Sequence, residues 1–216
     1  MEIGSKKILA IIAHPDDETI GCGGFLSRAA MQNAQCKVLL PIRRGDPRGI
    51  RHWDTLKEQL RSACRILGAE AVITEDMVSD ITAEVHVHEI YGIINSYVQW
   101  ADIILTHWHG DSHQAHRAVS RAVELATRPF RIQKTVLFFE IATSTDQAFT
   151  YTFSPNCFIS LNIDDVNKKV SAMSRYNTET EFGRTPGNLE TLMRLRGAQT
   201  GQDFAEAYMI ARHFIK

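Results

Sequence analysis

Two short stretches of this sequence hold residue types for which packing alone has no use. The first is Ala13-His14-Pro15-Asp16-Asp17-Glu18. Acidic residues at a helix start often serve as caps and suit the macrodipole. Capping covers one or two of Asp16, Asp17 and Glu18 and leaves His14 without a role. An imidazole and a carboxylate three residues apart on a turn can reach one cation, and zinc takes nitrogen at about 2.0–2.1 Å and carboxylate oxygen at similar range. The second stretch runs from Thr106 to Arg117, THWHGDSHQAHR, and holds four of the nine histidines within ten residues. His113 and His116 are spaced i, i+3 at the start of a predicted helix, so they share a face. A catalytic zinc keeps three protein ligands and one open position for water. These two stretches can supply that set.

Ligands so far apart in the chain must be delivered by regular elements. Short apolar, β-branched runs predict strands at Ile8–Ala13, Lys37–Ile42, Ala71–Thr74, Asp102–Thr106, Thr135–Glu140 and Cys157–Leu161. Apolar positions recurring at three and four residues predict helices at Thr19–Met31, Trp53–Leu67, Ala83–Val98 and Ser112–Ala126. Further helices are expected near Asp164–Tyr176, Asn188–Arg196 and Asp203–His213. Strand–helix alternation of this kind implies a mostly parallel sheet with helices on both faces. No repeat, low-complexity segment or long linker divides residues 1–216, so the chain reads as a single α/β domain of Rossmann-like three-layer form. In such a sheet, ligands bind outside the carboxyl ends of the strands. Both stretches fall directly after a predicted strand.

At 216 residues the chain can bury a sizeable core without crosslinks. Hydrophobic residues make up 44% and charged residues 23%, the balance of a soluble globular protein. A formal net charge of -1 gives no field that would draw in nucleic acid or an anionic membrane. The apolar run ILAIIA is far shorter than the roughly 20 residues of a membrane span, and it leads into no signal-peptide cleavage site. The four cysteines, Cys22, Cys36, Cys64 and Cys157, form no CxxC pair. Reduced thiols in a cytoplasmic protein are the simple expectation.

Ala13-His14-Pro15-Asp16-Asp17-Glu18 with Gly23-Gly24 resembles the signature of the PIG-L or LmbE-like family of zinc-dependent N-deacetylases. Asp111-Ser112-His113-Gln114-Ala115-His116-Arg117-Ala118-Val119 is similar to the family's D-x-H-x-D-H-R-A-V. Weaker echoes continue at Glu140, Lys168, Arg196-Gly197 and Phe204-Ala205-Glu206-Ala207-Tyr208, so the resemblance spans nearly the whole chain. It implies a Rossmann-like fold and removal of an N-acetyl group from an N-acetylglucosaminyl-type or related sugar small molecule. It makes His14, Asp17 and His116 ligands of zinc or another divalent ion. Asp16 becomes the general base toward a water activated by that ion, and His113 the group that stabilises charge on the carbonyl oxygen. Family precedent is compatible with a homo-oligomer. One position departs: where the family carries Asp, this chain has Ala115. That carboxylate is expected to orient His113 and raise its pKa. Either another acid such as Asp111 substitutes, or activity is lowered, or the change was engineered.

Other residues admit two readings. His107, Trp108 and His109 could touch a sugar or be ordinary loop residues. Arg43 and Arg44, with Arg48 and Arg51, could grip an anionic substrate group or form a solvated basic loop. Glu140 is a further candidate contact. The other four histidines, His52, His86, His88 and His213, suit surface or satisfied helix positions. Gly21-Cys22-Gly23-Gly24 has glycines like a dinucleotide fingerprint, but the HPDDE stretch occupies the place of the glycine turn, so no nucleotide cofactor is expected. Two rival functions remain. A metal-dependent phosphoesterase would need more bridging carboxylates than the sequence offers. A sugar-binding protein impaired at Ala115 would have no use for the retained acid and histidine set.

Overall fold

Side chains of the first strand alternate between two apolar clusters: Ile8 and Ala10 face one, Leu9 and Ile11 the other. A strand buried on both faces has no polar side to show, which is why its sequence is a continuous apolar run. The computed structural model describes residues 3–149, 152–180 and 183–215, with the backbone alone at 75–77. Its strands are β1 (Lys7–Ile11), β2 (Gln35–Arg43), β3 (Glu70–Ser79), β4 (Ile103–His107), β5 (Thr135–Phe139), β6 (Cys157–Ser160) and β7 (Ala205–Arg212). They form one sheet in the order β3-β2-β1-β4-β5-β7-β6. β1 to β5 pair in parallel, and β7 runs antiparallel between β5 and β6. The order reverses between β1 and β4. That switch point opens a crevice at the carboxyl ends of the two strands that precede the chemical stretches.

The helices are α1 (Asp17–Met31), α2 (Pro47–Arg51), α3 (Trp53–Leu67), α4 (Val87–Trp100), α5 (Gln114–Ala126), α6 (Ile163–Met173) and α7 (Pro186–Ala198). Phe25 and Leu26 of α1, Leu60 and Leu67 of α3, and Met173 of α6 pack one face of the sheet. Ile90, Ile94 and Val98 of α4 cover the other, with Val119 and Val123 of α5. Each Leu, Ile or Val fully buried in this way contributes about 1.5–3 kcal/mol. Gly68, at φ 76, ends α3 in the left-handed region that favours glycine. Among the described residues no helix is long and apolar enough to cross a membrane. All four cysteines are unpaired.

The helix expected near Asp203–His213 is instead strand β7. Ala, Glu and Met favour a helix in isolation, but this segment fills the slot between β5 and β6, and sheet pairing overrides the weak local preference. β3 runs on to Ser79 rather than ending near Thr74, past an irregularity opposite Leu40 and Ile42. α4 begins at Val87, after a 3-10 turn at Asp80–Thr82.

α1 is broken at Cys22, whose φ and ψ of -148° and 20° lie outside the helix region. The break is filled by side chains. Gly24 N–H and Phe25 N–H donate to the two oxygens of Glu206, each at 2.7 Å. Lys169 Nζ donates to Ile20 O at 2.8 Å and to Glu206 Oε1 at 2.6 Å, and Tyr208 Oη–H donates to Glu206 Oε2 at 2.6 Å. Side chains inserted into the helix ladder are one recognised cause of a kink, and Gly21, Gly23 and Gly24 flank this one. Here a buried ion pair supplies the insertion, at the end of the short first segment that begins at Asp17.

Candidate metal centre

Asp16 occupies the turn between β1 and α1 with φ 111°, a conformation costly for a residue with a side chain. Its side chain makes no cap hydrogen bond, so helix capping does not explain it. Glu18 braces the turn: Oε2 accepts Asp16 N–H at 3.2 Å, while Oε1 accepts Tyr176 Oη–H at 2.7 Å and the Thr19 hydroxyl at 2.5 Å. Burial pushes the Glu18 carboxyl up to about 7.

Three side chains converge at the switch point, each held from behind. His14 Nε2 lies 3.1 Å from Asp80 Oδ2, which leaves Nδ1 toward Asp17 Oδ2 at 3.7 Å. Asp17 Oδ2 accepts His14 N–H at 2.8 Å and lies 3.3 Å from His107 Nε2, while Asp17 Oδ1 is buried without a hydrogen-bond partner. His116 Nδ1 is 3.1 Å from Asp111 Oδ1, and His116 Nε2 is buried, unpartnered and 3.5 Å from Asp17 Oδ2. Asp111 is fixed in turn by Thr145 Oγ1 at 2.6 Å and Ser144 Oγ at 2.5 Å. Carboxylates behind imidazoles that orient a bare nitrogen are the usual outer support of a metal site. Among the described residues, two overlapping trios have donor atoms close enough to share one ion: His14 with His113 and His116, and Asp17 with His107 and His116.

The ionisation of these groups fits such a donor set. Burial lowers His116 to about 4, so its imidazole is neutral and able to ligate. Burial also lowers His14, more than Asp80 and Asp17 raise it. For Asp17, burial opposes ionisation, but His116, His107 and His14 outweigh it and hold the carboxyl well below its usual range. Asp16 goes the other way: burial raises it well above that range, against the pull of Arg184 and with Asp17 adding to the rise. Adjacent carboxyls pushed apart in this manner suit different tasks.

His113 sits at the start of α5, where its Nδ1 accepts Ala115 N–H at 3.2 Å. Burial and the neighbouring His116 lower His113 to about 4. Asp111, the acid offered as a substitute partner, accepts His113 backbone N–H at 2.8 Å but spends its side-chain contacts on His116, Ser144 and Thr145. It orients His116, not the His113 ring. Ala115 is itself fully buried in the apolar cluster of α4 and α5.

A cleft of about 350 Å³ reaches His113 between Arg44, Arg48, Thr143, Gln147, Glu179 and Arg184. Of the residues considered as substrate contacts, Arg44 and Arg48 line it. Arg43 is exposed at the end of β2. His107 is fully buried beneath the cluster, its ring stacked on His116 at 4.0 Å. Trp108 is 2% exposed, so it offers no face to a sugar. His109 lines a separate hollow of about 370 Å³ with Phe138 and Met209. Glu140 is engaged by Arg196 in a two-pronged pair at 2.7 and 2.5 Å. Sequence reasoning missed Asp80 and Arg184. The signal for Asp80 was its place directly after a strand, hidden because that strand was expected to stop near Thr74. Arg184 donates from Nη1 to Asp16 Oδ2 at 2.8 Å.

The sequence profile of the family described as PIG-L, GlcNAc-PI de-N-acetylase, matches residues 9–127, more than half of the 216-residue chain. The chain is 27% identical over 183 residues to the uncharacterized deacetylase YaiS of Escherichia coli K12, covering 80% of this chain and 91% of that one. The fold is shared with the A40926 pseudoaglycone deacetylase Dbv21, at TM-score 0.77 and 20% identity over 98% of this chain and 100% of that one. It is also shared with the 4-carboxy-2-hydroxymuconate hydratase GalB of Pseudomonas putida KT2440, at TM-score 0.74 and 17% identity over 98% of each chain.

Proposed function

Because the chain belongs to the PIG-L de-N-acetylase family, we propose that it hydrolyses the N-acetyl group of an N-acetylglucosaminyl-type or related sugar small molecule. A divalent ion, zinc by its donor set, would be held by His14, Asp17 and His116. The observation that carries this reading is the set of atoms left over. Asp80 and Asp111 hold the outer nitrogens of His14 and His116, and His107 lies against Asp17 Oδ2, while among the described residues Asp17 Oδ1 and His116 Nε2 stay buried and unpartnered. A buried polar atom without a partner costs roughly 1–3 kcal/mol, and a cation between these atoms removes that cost.

When bound, the ion polarises the acyl oxygen and makes a water nucleophilic near neutral pH. Asp16 takes the proton of the attacking water and returns it to the departing amine. Its Oδ1 is free for this, because Arg184 holds only Oδ2. With Nδ1 accepting Ala115 N–H, the neutral His113 ring carries its proton on Nε2. It therefore donates to the developing oxyanion as a neutral imidazole, and the absent carboxylate at position 115 is not needed for that role. The cleft of about 350 Å³ is of the size that admits one sugar unit. GalB, a hydratase, shares this fold, so the reaction class rests on the family and the site rather than on the architecture. The thiols, all unpaired, are in keeping with a cytoplasmic location.

The test is an acetate-release screen over N-acetylglucosaminyl compounds with and without added zinc. Zinc-dependent acetate release supports the proposal. Failure across the series, with phosphate released from phosphorylated analogues instead, would favour the phosphoesterase reading.

A further inference from the structure

Arg184 lies outside the 9–127 segment matched by the family profile. Its guanidinium nevertheless reaches Asp16 at 2.8 Å, with 15% and 1% of the two side chains exposed. The backbone around it is pinned on both sides. Gly183 has φ 73°, and its carbonyl accepts Asn188 Nδ2–H at 2.6 Å. Thr185 caps α7 by accepting Asn188 N–H at 3.3 Å, and Pro186 opens the helix. Rigid presentation of this kind is what a positioning group needs. Asp16, in contrast, has a left-handed backbone and no cap bond. Of its carboxylate oxygens, Oδ2 is taken by Arg184 and Oδ1 has no partner among the described residues.

We propose that Arg184 is a positioning residue for the reaction, holding Asp16 by Oδ2 so that Oδ1 is presented to the attacking water. The inference rests on Asp16 acting as the base, as argued above. A guanidinium does not release its proton in proteins, so it orients the carboxylate without competing for the proton. Arg184 also lines the cleft, together with Arg44 and Arg48. A direct grip on substrate is therefore the rival role, and the two roles differ in kinetics.

The experiment uses the full-length, zinc-loaded protein and its Arg184→Ala and Arg184→Lys variants. Loss of positioning should lower kcat by about 10–100-fold while KM changes by less than about threefold, the sign that a uniform binding contact was not what was lost. Millimolar guanidinium ion should restore part of the activity of Arg184→Ala and none to Asp16→Asn. Zinc affinity, measured by chelator competition, should be unchanged. A raised KM with kcat intact, or loss of kcat that guanidinium does not rescue, would overturn the proposal. A second arm needs no substrate. In an unfolding cycle of Arg184→Met, Asp16→Asn and the double variant, the pair should be coupled by about fivefold or more in the unfolding constant. Additive effects would overturn the proposal even if no acetylated compound were turned over. Absence of acetate release from every protein, wild type included, combined with strong coupling would instead indict the deacetylase reading.

Discussion

The Lys169–Glu206 pair and the His14–Asp17–His116 cluster lie at opposite ends of the first segment of α1, both buried and both built from ionisable groups. Around Glu206 the bonding is closed: two backbone N–H groups, an ammonium and a phenol converge on one carboxylate, and the ammonium also takes the carbonyl that the kink releases. Around Asp17 it is open. Among the described residues Asp16 Oδ1, Asp17 Oδ1, His107 Nδ1 and His116 Nε2 are buried and unpartnered, on side chains that two distant stretches of the chain bring together around Asp17. Burial of charge alone therefore does not mark a site. A closed network fixes structure, whereas a cluster that withholds atoms from bonding marks the place where something else must bind. The two adjoin through α1, because the closed network bonds the backbone on either side of the kink that ends the segment begun at Asp17.

Substitutions can break this contrast on either side. The largest effect is expected from Asp16→Asn, which should lower turnover by about 10²–10⁴-fold while zinc content, read by elemental analysis, stays at one ion per chain. On the closed side, Glu206→Ala strands the Lys169 ammonium and two amide protons. It should cost about 3–5 kcal/mol of stability in urea unfolding, with zinc stoichiometry per folded chain unchanged. A Glu206→Ala protein as stable as wild type would show that the network is not structural. Asp111→Asn should act between the two, weakening zinc affinity by about 10–100-fold in chelator competition, because His116 loses the carboxylate that turns its Nε2 inward. Unchanged affinity would mean that His116 is oriented by its packing alone.

The parts of the molecule legible in the sequence are those where local pattern and tertiary role coincide. β1 and β4 read as apolar runs ending in chemical residues, and the rule that ligands bind outside strand carboxyl ends put both stretches at the functional edge of the sheet; the strand order then makes β1 and β4 neighbours. α3 was legible to the residue, Trp53–Leu67, because its apolar stripe has a single face to bury. β7 was not, because Ala205–Arg212 carries helix-forming residues and owes its extended state to neighbours distant in the chain. The ligand candidates lie in two compact motifs, whereas their supports come from elsewhere. Asp80 follows a strand whose irregular end concealed its reach, and Arg184 follows a glycine turn with only the Thr185-Pro186 helix start as a local signal. For residues beside a motif, the choice between the two readings depended on burial, which the sequence does not show. Trp108 and His107 adjoin the site in sequence, but the strand carries them into the interior.

Where the ion sits is the central claim, and anomalous diffraction at the zinc edge from crystals of the zinc-loaded protein tests it most directly. The account predicts one peak per chain, within about 2.0–2.2 Å of His14 Nδ1, His116 Nε2 and an Asp17 oxygen, with Asp80 and Asp111 still behind the two imidazoles. A peak coordinated by His107 in place of His14, or no peak at the switch point at saturating zinc, would contradict it.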